Sequence, residues 1–316
     1  MIEIISGGLQ TTVQDGGRIG FQSSGVPVCG AMDAPALWQA NILCGNDWEE
    51  AALEICALGP TIKFLESNIF ALTGGEFAAM LDGIPLEIGR TYLANKGATL
   101  AIGGAKTGFR AYLAFAGGLD IPPVMDSRST CLAASFGGYE GRKLQKGDRI
   151  AFRTPQLWLR GLPQRVLPQN YDHTAPVRVV AGAQRDALTE DSLETFFSSV
   201  YKVSDKSDRM GLRLSGPALR FAGGRDANII SDGVAMGAIQ VPDGQPIVMM
   251  ADRQTVGGYV KLGAVCTADL PLLAQKKPGD TVRFAPVTVQ EAQKLYHMQR
   301  RALRSSQAAL DWEEIW

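Results

Sequence analysis

Apolar residues in this chain come in short runs of four to six, broken by glycine, proline or aspartate. Thr61 to Phe64, Ile69 to Thr73, Ala78 to Leu81, Thr99 to Ile102 and Ala111 to Ala116 are the clearest of them. Short runs bounded by turn residues are what strands leave in a sequence, and none approaches the roughly 18 apolar residues of a membrane-spanning helix. Asp82-Gly83, between Ala79-Met80-Leu81 and Ile84-Pro85-Leu86, is a two-residue hairpin signal, and Asp243-Gly244 ahead of Pro246 to Met249 is a weaker second one. The expected fold class is mainly β with a few helices.

Those few helices carry start signals. Asp33 can cap a helix reaching Asn41 to Cys44, with Pro35 allowed in the first turn and Gly45 closing it. A second is expected over Leu188 to Val200, with Leu193, Phe196, Phe197 and Val200 on one face. A third runs from Thr288, three residues ahead of Glu291 in a capping box, to about Ala309.

At 316 residues the chain exceeds what one core usually serves. Thr154 to Pro176 holds four prolines and no hydrophobic period, and β patterning resumes at Val177-Arg178-Val179-Val180. The boundary is therefore set there, giving an N-terminal β domain over 1–155, a linker over 156–176, a C-terminal β domain over 177–287 and a C-terminal helix over 288–316. Both halves end alike, in Gly147-Asp148 and Gly279-Asp280 ahead of an alternating strand, which suggests a duplication with insertions.

Charge is balanced, 31 Lys+Arg against 32 Asp+Glu, without the basic stripe of a nucleic-acid binder. Met1 to Ser6 lacks the basic and apolar regions of a secretory signal, so the expected location is the cytoplasm. Five cysteines, with no Cys-x-x-Cys pair, read as reduced structural thiols.

Chemistry is concentrated in glycine-rich loops. Gly7, Gly8, Gly16, Gly17, Gly20, Gly25 and Gly30 are interleaved with Gln14, Asp15, Arg18 and Asp33, a pattern suited to close approach of a ligand. Arg18, Arg110, Arg128, Arg142, Arg209 and Arg213 fall in or beside such loops, and their forked guanidinium groups suit carboxylate, phosphate or bicarbonate. The competing reading is that they clamp loops through Asp15, Asp126, Asp208 or Asp252. Arg128 and Arg209, flanked by hydroxyls that include Ser129, are the strongest candidates; their replacement by alanine is expected to lower activity and leave thermal stability nearly unchanged. Gln240, Asp252, Thr255 and Tyr259 form a second cluster able to hold a lactam or urea-like group.

Other templates fit poorly. His173 and His297 lie outside every glycine-rich loop, against Ser-His or Cys-His catalysis and against a histidine metal site. Gly103-Gly104-Ala105-Lys106-Thr107 lacks the glycine that precedes the lysine of a phosphate loop and runs on into an expected strand. Arginine, aspartate and threonine without a clear nucleophile or metal make an incomplete site, as in one subunit of a heteromeric enzyme.

Several further blocks occur in a fixed order along residues 5–285. They include Tyr112-Leu113-Ala114 running into Gly117-Gly118, Ser127-Arg128-Ser129-Thr130, Gly137-Gly138-Tyr139-Glu140-Gly141-Arg142, Ser207-Asp208-Arg209-Met210-Gly211-Leu212-Arg213, and Asp252-Arg253-Gln254-Thr255-Val256-Gly257-Gly258-Tyr259. With the opening Thr11 to Gly20 block, they resemble the allophanate-hydrolase-subunit-2, or biotin-dependent carboxyltransferase-like, family. Three positions depart from its pattern: Asp126 stands in place of Gly, Val256 in place of Thr and Val260 in place of Pro. A carboxylate at 126 is placed to pair with Arg128.

The resemblance implies two tandem cyclophilin-like β-barrel domains. It implies a subunit, inactive alone, of a heteromeric 5-oxoprolinase that opens 5-oxo-L-proline to L-glutamate with hydrolysis of Mg-ATP shared among subunits A, B and this one. On that reading Asp252, Arg128 and Arg209 are catalytic, and Gln14, Arg18, Asp33, Ser129, Gln240, Thr255 and Tyr259 bind substrate. The alternatives are a carboxyltransferase subunit of a urea or amide carboxylase, with biotin on another chain, and a non-enzymatic partner that antagonises a subunit-B-like kinase inhibitor. Neither nucleic acid nor membrane is an expected partner.

Overall fold

The computed structural model describes residues 1–311. The chain forms two compact units, one of residues 1–18, 29–170 and the chain from Arg301, the other of 19–28 and 171–300. The change of unit at 170–171 falls inside the proline-rich stretch, and the short segment 19–28 groups with the second unit.

The first unit is built on a nine-stranded sheet dominated by two long strands, Asn68–Leu81 and Thr99–Phe115. They pair antiparallel from Phe70↔Phe115 to Leu81↔Leu100, with register shifts between Gly74 and Ala79. Such bulges bend a strand, so each long strand serves two stretches of sheet. The first long strand ends in Asp82-Gly83, both residues left-handed, the two-residue hairpin that the sequence signals, which turns the chain into the short strand Ile84–Pro85. Ile4, Val13, Phe64, Phe70, Leu72, Leu113 and Phe115 are all buried in one core.

The helix Ala34–Leu43 is apolar almost all round, and is buried accordingly. Asp33 caps it, accepting from Ala36 N at 3.1 Å, and Pro35 lies in its first turn. Thr73 and Thr91 anchor it to the sheet, donating to the carbonyls of Ala36 and Leu43 at 2.7 and 3.0 Å.

The second unit holds an eight-stranded sheet, antiparallel except where Val177–Ala181 runs parallel to Phe284–Val287. Its central strands Gly211–Ser215, Ile247–Met249 and Ala238–Gln240 lie side by side. Helix Glu190–Ser198 is capped by Thr189 and buries Leu193 and Phe196, with Phe196 stacked on Phe284 at 4.6 Å. A separate two-stranded ribbon pairs Asn228–Gly233 with Val256–Tyr259.

The capping box at Thr288 forms as the spacing predicts. Glu291 N donates to Thr288 Oγ1 at 3.2 Å and Thr288 N to Glu291 Oε2 at 3.1 Å. The helix it starts is Val289–Asp311; positions 312–316 of the expected C-terminal helix lie outside the described residues.

The repeated Gly-Asp turns have the same geometry in both units. Gly147 N donates to Ile4 O at 2.8 Å and Ile4 N to Asp148 O at 2.8 Å; Gly279 N donates to Val203 O at 2.9 Å and Val203 N to Asp280 O at 2.8 Å. Each aspartate also accepts from the backbone N–H three residues earlier, Gln145 or Lys277. Shared hydrogen bonding around a shared dipeptide supports duplication of one β unit.

Candidate functional site

In the first unit, motifs distant in sequence converge on Asp15. Its carboxylate, almost buried, accepts from Ser127 Oγ at 2.7 Å, Ser129 Oγ at 2.5 Å, Arg128 N at 2.5 Å and Gly17 N at 2.8 Å. The strand Gln10–Gln14 delivers Asp15 at its end, and the carboxylate ties the 127–130 segment to it. Gln14 Nε2 donates to Thr130 O at 3.1 Å and Thr12 Oγ1 at 3.2 Å, while its buried Oε1 has no partner.

Arg18 is fully buried beside them. Its Nε and Nη2 donate to the carbonyls of Val124 and Ser129 at 2.9 Å each, its guanidinium covers the Phe136 ring at 4.7 Å, and Nη1 has no partner. Carbonyl oxygens and a ring face stand in for the carboxylate that a buried guanidinium normally requires.

Gln14, Arg18, Arg128 and Ser129 are thus brought together. Arg128 is the accessible cation of the group: half-buried, it donates from Nε to Ile121 O at 2.8 Å and makes no ion pair among the described residues. The expected pairing with Asp126 does not form.

Asp126 has a backbone role instead. Met125 and Asp126, at φ 51° and 59°, are the left-handed pair of a tight turn closed between Val124 and Ser127. A glycine adopts that conformation without strain. Replacing Asp126 with glycine is expected to stabilise the protein by about 0.5 kcal/mol, the relieved strain exceeding the added chain entropy; a denaturation midpoint measures it. Val260, another departure, donates its N–H to Ala227 O at 2.9 Å, a bond that proline lacks.

Asp33 is not with this group as a ligand-facing carboxylate. It is buried, its Oδ1 holds the helix start, and its N–H donates to Tyr112 Oη at 2.8 Å. Tyr112 in turn donates to Glu54 Oε2 at 2.7 Å, with Arg110 Nε 3.8 Å from Glu54 Oε1. Burial, then the Glu54 and Asp33 carboxylates, push the Tyr112 phenol well above its ordinary pKa, so it stays a donor. Arg142 is a loop clamp: it donates to the carboxylates of Asp148 and Glu140, and these hydrogen bonds, that to Asp148 foremost, raise its pKa and outweigh desolvation.

In the second unit Arg209 and Asp252 are engaged with each other. Arg209 Nε and Nη2 meet Asp252 Oδ2 and Oδ1 at 2.9 and 2.8 Å, a bidentate pair with both side chains about 95 % buried (5 and 3 % exposed). The fork that would receive an anion already holds a carboxylate, which favours the clamp reading of these two residues over the catalytic one. Thr255 does not line the cleft that takes in Gln240 and Tyr259.

That cleft, of about 580 Å³, opens beside the strands Gly211–Ser215 and Ile247–Met249 and is lined by Gln240, Gln254, Tyr259 and Arg213, among others. Gln240 is 2 % exposed; its Oε1 accepts from Gln254 Nε2 at 3.3 Å and its Nε2 has no partner. Gln240 and Tyr259 from the expected cluster therefore meet in one place. The sequence reading missed Gln254, and counted Arg213 among the loop arginines without placing it at a site. Alternation along Gly211–Ser215, buried at 212 and 214 and exposed at 213 and 215, is the signal that sets Arg213 on the open face.

Residues 24–286 match the family described as carboxyltransferase domain, subdomain A and B. The chain belongs to this family. It is 39 % identical over 305 residues to the C subunit of Escherichia coli 5-oxoprolinase, spanning 95 % of this chain and 96 % of that one. It is 36 % identical to the urea amidolyase of Lachancea kluyveri over 96 % of its own length but only 18 % of that protein. The crystal structure of the Kluyveromyces lactis urea carboxylase superposes with a TM-score of 0.90 at 30 % identity, covering 96 % of this chain and 29 % of that one. The carboxyltransferase family thus includes chains of this length and segments of much longer ones, and this chain shares its mainly β fold with the urea carboxylase segment.

Proposed function

We propose that this chain is a subunit of a heteromeric 5-oxoprolinase, which opens 5-oxo-L-proline to L-glutamate with hydrolysis of ATP. The observation that carries the reading is the end-to-end match with the C subunit of the E. coli 5-oxoprolinase, in which both chains are covered almost completely. Resonance makes a lactam hard to open, and coupling to phosphoryl transfer supplies both driving force and a leaving group.

ATP is a shared cosubstrate on this reading, with subunits A and B supplying what this chain lacks. Gly103 to Thr107 lies within the strand Thr99–Phe115, where no helix start can receive a phosphate. Arg128, with no ion pair among the described residues, is the group of this chain best suited to a phosphate or acyl-phosphate oxygen. The cytoplasm, where ATP and reduced thiols are both maintained, suits five cysteines that form no disulfide among the described residues.

ATP hydrolysis by this chain mixed with candidate subunits A and B tests the assignment. Hydrolysis stimulated by 5-oxoproline only in the full mixture is the expected result; indifference to 5-oxoproline, with the three chains shown to associate, would contradict it. The similarity to urea amidolyase favours one second reading, carboxyl transfer to an amide nitrogen from biotin on another chain. Carboxylation of urea by the same mixture with a carboxybiotin carrier distinguishes the two.

A further inference from the structure

We propose that the cleft of the second unit is the seat of a small cyclic amide carrying a carboxylate, with Gln240 donating to the ring carbonyl and Arg213 pairing with the carboxylate. The inference rests on the 5-oxoprolinase reading above and names the binding site within it.

Gln240 is the centre of the argument. Its Oε1 is occupied by Gln254, which leaves Nε2 as a buried donor without a partner among the described residues, on the wall of a cleft. Buried donors are nearly always satisfied, and leaving one unmet is costly. A ligand carbonyl arriving in the cleft meets that need.

Gly257 keeps the space around this donor. A Cβ at position 257 would lie 2.5 Å from Gln240 Nε2, so any side chain there would press on the amide nitrogen itself. Its φ is not in the left-handed region, so close approach rather than backbone freedom is what calls for glycine here.

Arg213 supplies the charge. It lines the same cleft, is exposed, and its guanidinium makes no ion pair among the described residues, in contrast to Arg209, whose fork is filled by Asp252. A carboxylate fits that fork. A buried neutral donor and a guanidinium without an ion pair among the described residues line one cleft, which also carries Asp208 and Asp243, and the first two together suit a molecule that presents a carbonyl and a carboxylate. 5-Oxo-L-proline is such a molecule.

The test is calorimetric titration of the full chain, and of its assembly with subunits A and B, with three ligands. These are 5-oxo-L-proline, 2-pyrrolidinone, which lacks the carboxylate, and cyclopentanecarboxylate, which lacks the ring amide. Gln240→Leu is expected to weaken 5-oxo-L-proline and 2-pyrrolidinone about tenfold and leave cyclopentanecarboxylate unchanged. Gly257→Ala should reproduce that pattern. Arg213→Ala is expected to weaken the two carboxylates about tenfold and leave 2-pyrrolidinone unchanged.

Equal losses for all three ligands, no effect of the variants, or no binding to either form would overturn the proposal. An assembly that makes glutamate with unaltered KM in both Gln240→Leu and Arg213→Ala would overturn the cleft assignment and leave the enzyme assignment standing. Selective losses in an assembly that makes no glutamate would support the cleft and overturn the enzyme assignment.

Discussion

Arg209→Ala is expected to destabilise the protein by about 3–5 kcal/mol, because it leaves Asp252 as a buried carboxylate with its bidentate partner gone. The sequence alone pointed the other way, to a loss of activity at nearly constant stability. Burial decides between the two, since a guanidinium only 5 % exposed and held by both carboxylate oxygens is part of the fold. Arg209→Met combined with Asp252→Leu should recover most of the loss, since two apolar side chains of similar volume remove both charges together. Arg128→Ala, by contrast, removes one hydrogen bond from a half-buried side chain and should cost about 1 kcal/mol or less. Chemical denaturation of the three variants separates these cases. Arg209→Ala as stable as the parent would refute the clamp.

Asp15→Ala carries the second large effect. Four donors, the Ser127 and Ser129 hydroxyls and the N–H groups of Arg128 and Gly17, converge on its carboxylate, and three of them come from a segment more than 110 positions away. Removing the acceptor strands these donors in a largely dry site and should cost about 3 kcal/mol or more. For a protein of this size, that lowers the melting temperature by roughly 4 °C or more. Asp15→Asn keeps one carbonyl acceptor and should recover part of the loss. A melting temperature unchanged in Asp15→Ala would show that the 127–130 segment is held by other means, and Arg128 would lose its fixed position as a candidate for anion binding.

What the sequence made legible was local. Runs bounded by turn residues located the strands, Asp33 and Thr288 announced their helices, and Asp82-Gly83 its hairpin, because each signal is set by a few adjacent residues. The glycine-rich blocks named Gln14, Arg18, Arg128 and Ser129 singly, and it is the fold that gathers them around Asp15.

Which arginine was free and which was paired was not legible. Arg209 and Asp252 are 43 positions apart, and Asp126 is two from Arg128, yet the distant pair forms and the near one does not. Asp126 is committed to a left-handed turn, a constraint on the backbone that residue type alone does not reveal. Likewise the importance of Gly257 lies in its distance to Gln240 Nε2, which only the folded chain sets.

The most direct test of the whole account is glutamate formation from 5-oxo-L-proline and ATP, measured with subunits A and B in the presence and absence of this chain. The account predicts turnover only when all three are present. Turnover without this chain, or none with all three folded and associated, would contradict it.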